Sequence, residues 1–336
     1  MSKVRIAING FGRIGRLSAR MMAGNPNIDI VAINDLTDPK MLAHLFKYDT
    51  AHGQFDGSIK LEGNDLVING DKIKVFKERD PSNLPWGELG IDIVLESTGI
   101  FRDEEGAGKH IAAGAKKVVI SAPAKGNIKT IVLGVNDEEL SADDKIVSNA
   151  SCTTNCLAPM AKILDDKFGI EYGLMTTIHA YTADQNLQDS PHSDPRRARA
   201  AAQNIVPTST GAAAAVGKVL PHLNGKLNGA AMRVPTITGS ITEFNCMVRE
   251  DVTVEAVNNA FRDAGSNAMK GVLQYSTEPL VSSDIVGNPH SNVFDADLTM
   301  VMNKMVRVVG WYDNEAGYSA RIADLILRMA DMAVPA

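Results

Sequence analysis

Cys152 is the residue of this sequence best placed for nucleophilic chemistry. It lies in the run SCTTNC, after a predicted buried strand at residues 145–147 and before an apolar-periodic segment that predicts a helix. Ser151 is a favourable N-cap, so Cys152 should lie in the first helical turn, where unpaired N–H groups and the helix dipole favour a thiolate. A buried structural cysteine is the alternative interpretation of the same pattern.

His179 is the candidate base for this thiol. It lies in residues 174–180, a β-rich run that would fix the imidazole on a strand. A cysteine that attacks a carbonyl carbon needs a base, and histidine is the side chain best suited to that task near neutral pH. A core histidine that is simply paired is the alternative.

The N-terminal segment carries a dinucleotide-binding fingerprint. A β-rich run at residues 4–9 leads into GFGRIG, and a predicted helix follows, which is the context that gives G-x-G-x-x-G its meaning. Gly10 would form the tight turn, Gly12 would let the backbone approach a pyrophosphate, and Gly15 would let the helix pack on the strand. The pyrophosphate would lie at the helix N-terminus.

Asp35 ends a second predicted strand at residues 28–33. It follows the last glycine by about 20 residues, the distance at which an acidic residue binds the adenosine ribose hydroxyls. The same carboxylate would repel a 2′-phosphate, so the sequence predicts NAD as the preferred cofactor. The alternative is a glycine turn without a ligand, with Asp35 as a helix cap.

The order of predicted elements indicates an α/β protein. The first half alternates short strands and helices, which predicts a Rossmann-type doubly wound parallel sheet, with an antiparallel insertion at residues 58–79. The second half predicts an α+β catalytic domain with a mostly antiparallel sheet. We expect an NAD-binding domain at residues 1–150, completed by a C-terminal helix at residues 318–336, and a catalytic domain at residues 151–317.

Composition excludes several classes of function. The 336 residues exceed the usual size of a single core, so two domains are expected. A net charge of −6 with only one short basic cluster, at residues 196–199, argues against a nucleic-acid partner. No apolar run approaches the ~20 residues of a membrane span. Three cysteines form no disulfide framework and no zinc motif, so we predict a cytoplasmic protein without a metal.

Two segments of the second half suggest anion binding. Arg233 is a lone charge in an apolar run, and its guanidinium would suit a phosphate. The run PTSTG at residues 207–211 precedes a predicted helix, where hydroxyls and backbone N–H groups can bind an anion. A long aperiodic loop, typical of a functional or interfacial segment, ends at Arg196 and Arg197.

Taken together, these motifs resemble the phosphorylating glyceraldehyde-3-phosphate dehydrogenase family over essentially the whole chain. The resemblance rests on NGFGRIGR at residues 9–16, ND at 34–35, SNASCTTNC at 148–156, TIH at 177–179, PTSTG at 207–211, RVPT at 233–236 and residues 311–318. The sequence departs from the family at residues 237–239, which read Ile-Thr-Gly where Pro-Asn-Val is usual, and at Ser190 and Ala214.

The resemblance implies a role for each matched residue. Cys152 would be the nucleophile, and His179 its ion-pair partner and base. Asn314 would hold the nicotinamide amide, with Tyr318 nearby. The resemblance implies that Gly12, Arg13, Ile14 and Asp35 bind the rest of NAD and that Ser121 lies near it, and the glycine fingerprint adds Gly10 and Gly15 to the cofactor site. The implied substrate-phosphate site is Thr182 and Arg233, and the implied inorganic-phosphate site is Ser151, Thr153, Arg197, Thr210 and Gly211.

The resemblance also implies the activity. The family oxidises glyceraldehyde 3-phosphate with NAD and inorganic phosphate to 1,3-bisphosphoglycerate, through a thiohemiacetal and a thioester on the cysteine. This is a glycolytic and gluconeogenic oxidoreductase reaction, carried out by a cytoplasmic homotetramer. The alternatives are an erythrose-4-phosphate dehydrogenase, which hydrolyses its thioester, and a non-catalytic NAD-binding protein.

Overall fold

The computed structural model describes residues 3–332, which form two compact units. The first unit comprises residues 3–131, 138–150 and 319–332, and the second comprises residues 132–137 and 151–318. Residues 132–137, inside the predicted first domain, therefore group with the second unit. The last part of the predicted C-terminal helix, residues 333–336, lies outside the described residues.

A nine-stranded sheet forms the frame of the first unit. The strands of this unit are β1 (Val4–Asn9), β2 (Ile28–Asn34), β3 (Tyr48–Asp49), β4 (Gly53–Gln54), β5 (Ile59–Glu62), β6 (Asp65–Ile68), β7 (Asp71–Phe76), β8 (Ile93–Glu96), β9 (Lys117–Ile120), β10 (Lys129–Thr130) and β11 (Ile146–Ser148). The order is β10-β11-β9-β8-β1-β2-β7-β6-β5, and β3 pairs only with β4. All pairs from β10 to β7 are parallel, whereas β7, β6 and β5 pair antiparallel. The predicted Rossmann-type sheet is confirmed, and so is its antiparallel insertion.

Helices cover this sheet and bury its apolar strands. They are α1 (Arg13–Met22), α2 (Pro39–Lys47) and α3 (Glu104–Ala112). All four residues of β8 are buried, as is typical of a parallel strand covered on both faces. Trp86 and the α3 residue His110 are fully buried, and Asp103 caps α3 by accepting from Gly106 N.

The second unit is built on an eight-stranded sheet. Its strands are β12 (Ile170–Ala180), β13 (Val206–Ser209), β14 (Leu227–Val234), β15 (Ser240–Val248), β16 (Leu273–Ser276), β17 (Asn292–Asp295), β18 (Met300–Met302) and β19 (Met305–Tyr312). The order is β13-β14-β12-β15-β19-β17-β16, with β18 on β19. Only β12–β14 and β16–β17 are parallel, so the predicted mostly antiparallel sheet is confirmed.

The remaining helices are α4 (Cys152–Phe168), α5 (Ala212–Val219), α6 (Val254–Ser266) and α7 (Ala316–Asp331). Short 3-10 helices occur at Pro81–Asn83, Asp137–Glu139, Pro221–Leu223, Ser282–Ile285 and Ala296–Leu298.

The long helix α4 of the second unit positions the cysteine. Helix α4 packs against α5, α6 and β15, which buries Leu157, Met160 and Leu164 completely. Gly169 caps the C-terminal end of α4, and its φ of 68° is a conformation that favours glycine.

No helix within residues 3–332 is long and apolar enough to cross a membrane.

Candidate active site

Cys152 is the first residue of α4. The Ser151 side chain accepts a hydrogen bond of 3.1 Å from Thr154 N, so the predicted N-cap is confirmed. The Cys152 Sγ is half-buried and lies 3.4 Å from His179 Nε2. The two residues are far apart in sequence, and they meet because α4 packs on the sheet that contains β12.

His179 lies near the end of β12, and its tautomer follows from its contacts. The imidazole is 3% exposed, and Nδ1 lies 2.6 Å from the carbonyl oxygen of Ala180. A carbonyl oxygen only accepts, so Nδ1 carries the hydrogen and Nε2 presents a lone pair. That lone pair faces the Cys152 sulfur. The arrangement is that of a nucleophile beside an oriented base.

Burial works against charge on either member of the pair. It raises the pKa of the Cys152 thiol, although Arg233 and hydrogen bonds from Thr153 act in the opposite direction. Burial, together with the charge of Arg233, lowers the pKa of His179 to about 3. Backbone hydrogen bonds at the start of α4 do favour the thiolate, as predicted, but burial outweighs them. A thiolate and an imidazolium that formed together here would stabilise each other.

Arg233 lies beside the histidine because β14 pairs in parallel register with β12, His179 opposite Arg233. Its Nη1 donates to Ala180 O at 3.2 Å and to Thr182 Oγ1 at 2.7 Å. Its Nε is buried and makes no hydrogen bond within the described part of the chain. A buried guanidinium nitrogen without an acceptor is costly, so this edge of Arg233 suits an anionic ligand.

Asp184 is a member of this cluster that the sequence did not indicate. Its carboxylate accepts from the Thr182 hydroxyl and, at 2.7 Å, from Arg197 Nη1. Burial would raise the pKa of Asp184, but the Thr182 hydrogen bond and the charges of Arg233 and Arg197 outweigh it, and the pKa lies below its ordinary value. The predicted residues of the two phosphate sites, Thr182 and Arg197, are thus joined by one internal carboxylate. An Asp in a polar loop gives no sequence signal of such a role.

The other predicted phosphate-binding residues lie at helix starts. Thr153 Oγ1 is buried and lies 2.9 Å from Tyr312 Oη. Gly211 precedes α5 without a side-chain cap, and the Thr210 hydroxyl accepts from Ala212 N at 3.2 Å. In the described chain, no hydrogen bond joins Thr210 to Arg197 or Cys152. The structure therefore brings Thr182 and Arg233 into direct contact and links Arg197 to Thr182 through Asp184, whereas Thr210 contacts only the start of α5.

Tyr312 is a second residue that sequence reasoning missed. Its hydroxyl lies 2.9 Å from Thr153 Oγ1 and 2.8 Å from Thr177 Oγ1, and its ring meets the His179 ring edge-on at 5.9 Å. Burial raises the pKa of Tyr312 well above its ordinary value, so the phenol stays neutral. Its place at the end of β19 gives no local signal of this contact, which depends on sheet packing.

The glycine turn of the first unit has the geometry that its fingerprint predicts. Gly10 has a φ of 91°, and a Cβ there would lie 2.7 Å from Thr98 N. A Cβ at Gly15 would lie 2.2 Å from Gly10 O, whereas one at Gly12 would meet no atom within 4 Å. Gly12 precedes α1 and provides no side-chain cap. The backbone at Gly12 is thus open on the side where a pyrophosphate would approach the helix N-terminus.

A groove of about 510 Å³ borders this turn. Its lining includes Asn9, Gly10, Gly12, Asp35, Thr98 and Phe101. The Asp35 carboxylate accepts from Phe11 N at 2.7 Å and from Thr37 N at 2.9 Å, which fixes it at the end of β2. These features fit the adenosine and pyrophosphate of a dinucleotide: an open backbone, an uncapped helix and an oriented carboxylate at the strand ends.

The remaining predicted cofactor residues occupy different places. The Arg13 guanidinium pairs with both oxygens of Asp49, at 2.9 and 3.1 Å, and Ile14 follows it in α1. Ser121 follows β9, and its N–H donates to Glu96 O. In the second unit, Asn314 is 4% exposed and its Oδ1 lies 2.8 Å from Ser240 Oγ. Tyr318 is buried in the first turns of α7.

No cluster of three or more potential metal ligands occurs among residues 3–332.

Comparison with known proteins assigns the chain to a family. The family model described as glyceraldehyde 3-phosphate dehydrogenase, NAD binding domain, matches residues 4–104, and that described as the C-terminal domain matches residues 151–314. Glyceraldehyde-3-phosphate dehydrogenase 1 of Bacillus subtilis is 56% identical over 329 residues, 97% of this chain and 98% of its own. The glyceraldehyde-3-phosphate dehydrogenase of Geobacillus stearothermophilus is 56% identical over 329 residues, which cover 97% of this chain and 98% of that protein. The glyceraldehyde-3-phosphate dehydrogenase of Borreliella burgdorferi is 56% identical over 334 residues, which cover 97% of this chain and 99% of that protein. The chain belongs to the glyceraldehyde-3-phosphate dehydrogenase family.

Proposed function

We propose that this protein oxidises glyceraldehyde 3-phosphate with NAD and inorganic phosphate to 1,3-bisphosphoglycerate. The observation that carries the proposal is the distance of 3.4 Å between Cys152 Sγ and His179 Nε2, with the Nδ1 hydrogen held by Ala180 O. A thiol and an oriented imidazole lone pair are what a covalent aldehyde oxidation requires.

The cofactor is NAD. Gly12, Arg13 and Ile14 would bind its pyrophosphate through backbone N–H groups at the start of α1, and Asp35 would bind the adenosine ribose. Ser121 would line the cofactor, and Asn314 would donate to the nicotinamide amide, with Tyr318 nearby. When bound, NAD supplies the hydride acceptor of the reaction.

Cys152 and His179 would act in sequence. The thiol proton moves to Nε2 while Sγ attacks the aldehyde carbon, and the proton then passes to the new alkoxide to give a thiohemiacetal. His179 next takes the hydroxyl proton as the hydride leaves the same carbon, which yields a thioester. Inorganic phosphate attacks the thioester, the carbon–sulfur bond breaks, and the imidazolium stabilises the departing thiolate. One proton is released in each turnover.

Two anion sites would serve this sequence. Arg233 and Thr182 would bind the phosphate of the substrate, because the Arg233 Nε is buried beside the histidine without an acceptor within residues 3–332. Ser151, Thr153, Arg197, Thr210 and Gly211 would bind inorganic phosphate. Arg197 Nη1 lies 2.7 Å from Asp184 Oδ2, so an anion that binds Arg197 would compete with this carboxylate.

We also propose a cytoplasmic homotetramer. One face of the second unit's sheet carries exposed apolar side chains, which supports an assembly. Leu174 is 63% exposed and Met302 is 74% exposed. Asn245 lies opposite Leu174 on β15, and Arg307 opposite Asn245 on β19. Exposed apolar side chains grouped on one face of a sheet are typical of a protein–protein contact. A reactive thiol also needs a reducing compartment, which fits the cytoplasm. Light scattering after size-exclusion chromatography tests the tetramer.

The test of the activity is NADH absorbance with NAD and glyceraldehyde 3-phosphate, with and without inorganic phosphate or arsenate. We expect sustained turnover only when the anion is present. Turnover that does not need the anion, and that is faster with erythrose 4-phosphate, would contradict the proposal in favour of a hydrolytic enzyme. NAD binding without any absorbance change would indicate a non-catalytic protein.

A further inference from the structure

We infer that Ser240 is a positioning residue that sets the orientation of the Asn314 carboxamide and thereby its recognition of the nicotinamide amide. The inference deepens the proposed function and rests on it, since it concerns the same cofactor. Ser240 begins β15 and is 1% exposed, and Asn314 is 4% exposed. Neither the composition nor the motif at residues 233–236 indicates a role for this serine.

The argument begins with the donors and acceptors around the serine hydroxyl. The backbone N–H of Ala180 donates to Ser240 Oγ at 3.0 Å, and Ser240 Oγ lies 2.8 Å from Asn314 Oδ1. A backbone N–H only donates, so the hydroxyl oxygen accepts there and its hydrogen needs another acceptor. Among the described residues, Asn314 Oδ1 is the one acceptor within reach of that hydrogen.

This requirement decides which way the Asn314 amide faces. If the amide were flipped, Nδ2 would face Ser240 and the buried hydroxyl hydrogen would have no acceptor, which is costly. With Oδ1 toward Ser240, Nδ2 points away and makes no hydrogen bond within residues 3–332. Its two hydrogens are then available to a ligand acceptor, such as the carbonyl oxygen of a pyridine carboxamide.

The loop before Ser240 restricts the same asparagine further. The Thr238 hydroxyl donates to Asp313 Oδ1 at 2.7 Å, and its oxygen lies 3.4 Å from Asn314 Oδ1. Gly239 has a φ of 89°, and a Cβ there would lie 2.3 Å from Ser282 O, so only glycine fits. Thr238 and Gly239 lie in residues 237–239, where the sequence departs from the motif pattern of the family that it resembles. The Thr238 hydroxyl holds Asp313, the residue before Asn314, in place.

Asp313 is itself fixed from several sides. Its Oδ1 also accepts from Glu315 N at 2.9 Å and Ala316 N at 3.0 Å, and its Oδ2 accepts from Gly287 N at 2.8 Å. The backbone on either side of Asn314 therefore has little freedom. Rotation of the terminal amide is the main remaining freedom, and Ser240 removes it.

The same hydroxyl links the cofactor residue to the catalytic base. Ala180 donates to Ser240 through its N–H and accepts from His179 Nδ1 through its carbonyl. A test of Ser240 must therefore distinguish an effect on nicotinamide binding from an effect on the binding of the rest of NAD. ADP-ribose provides it, because this ligand has the adenosine, pyrophosphate and ribose groups of NAD without the nicotinamide.

The experiment measures dissociation constants of NAD and ADP-ribose by titration calorimetry for the wild type, Ser240→Ala, Asn314→Ala and the double variant. We expect Ser240→Ala to weaken NAD binding by roughly threefold to tenfold, the worth of one hydrogen bond, and to leave ADP-ribose binding unchanged. In the Asn314→Ala background the serine substitution should have no further effect. Ser291→Ala is the matched control, a buried serine of the same unit whose hydroxyl has no hydrogen-bond partner in the described chain.

Three results would overturn the inference and leave the proposed nicotinamide contact standing. The first is that Ser240→Ala loses affinity for NAD and for ADP-ribose equally. The second is that Ser240→Ala weakens NAD binding as much in the Asn314→Ala background as in the wild type. The third is that Ser240→Ala binds NAD normally although Asn314→Ala binds it weakly. If Asn314→Ala itself binds NAD normally, the proposed nicotinamide contact fails together with the inference. Should Ser240→Ala not fold, Ser240→Cys keeps the side-chain shape with a much weaker donor, and we expect the same loss for NAD alone.

Discussion

The glycine turn of the first unit and the Cys152–His179 pair of the second unit are built in different ways. The turn is local: Gly10, Gly12 and Gly15 lie within one strand–helix connection, and Gly10 and Gly15 make the close backbone contacts that the fingerprint predicts. The pair is assembled from α4 and β12, and its third member, Arg233, comes from β14. A binding site made of backbone can be recognised from a short motif, whereas a site made of side chains depends on how strands pair.

The largest expected effect concerns the nucleophile. Cys152→Ser should lower kcat by about 10⁴-fold or more, because a hydroxyl at this position is a far weaker nucleophile than a thiol that can pass its proton to His179. Steady-state NADH formation measures it. Cys156→Ser is the control on the same helix: Cys156 is fully buried and burial raises its pKa, so it should retain activity close to the wild type. Equal losses for both variants would contradict a special role for Cys152.

The base should have the next largest effect. His179→Asn should lower kcat by roughly 10²- to 10⁴-fold, since the thiol proton loses its acceptor. Burial raises the pKa of the Cys152 thiol, so alkylation of the variant by iodoacetamide should move to higher pH and become slower at neutral pH. The rate of alkylation between pH 6 and pH 10 measures this shift. A profile that matches the wild type would show that His179 does not take the proton.

Substitutions of Gly12 and Gly15 distinguish NAD binding from stability at the glycine turn. Gly15→Ala should destabilise the first unit by about 1–3 kcal/mol, because a Cβ there would lie 2.2 Å from a backbone oxygen. Gly12→Ala should leave the unfolding transition close to the wild type, since its Cβ meets no atom within 4 Å, and should weaken NAD binding by about tenfold. Denaturant unfolding and NAD titration measure the two effects. Unchanged NAD affinity in Gly12→Ala would contradict a pyrophosphate at this turn.

The smallest expected effect is on cofactor preference. Asp35→Asn should reduce the preference for NAD over NADP by about tenfold, because the charge that repels a 2′-phosphate is removed. The ratio of the two dissociation constants measures it. Asp29→Asn, on the same strand and paired with Arg5 at 2.8 Å, is the control and should leave the ratio unchanged. A ratio that does not change in Asp35→Asn would exclude its carboxylate from the choice of cofactor.

The local features of this protein could be predicted from residue patterns alone, whereas the Cys152–His179 and Thr182–Arg233 contacts were indicated only by the family resemblance. The parallel sheet, the antiparallel insertion and the Ser151 cap follow from periodicity and short motifs. The contacts of Asp184, Ser240 and Tyr312 depend on loop course and strand register, which leave no mark on neighbouring residues. Burial is a further factor that the motif does not show, because desolvation raises the pKa of the Cys152 thiol although the start of α4 favours the thiolate.

The central claim is that Cys152 forms a thioester that phosphate then cleaves. The most direct measurement combines rapid mixing with NAD and glyceraldehyde 3-phosphate in the absence of phosphate, and intact-mass analysis of the quenched protein. The account predicts a burst of one NADH per active site and an acyl adduct on the Cys152 peptide, which added phosphate removes. Continued NADH formation without phosphate, or an adduct located elsewhere, would contradict it.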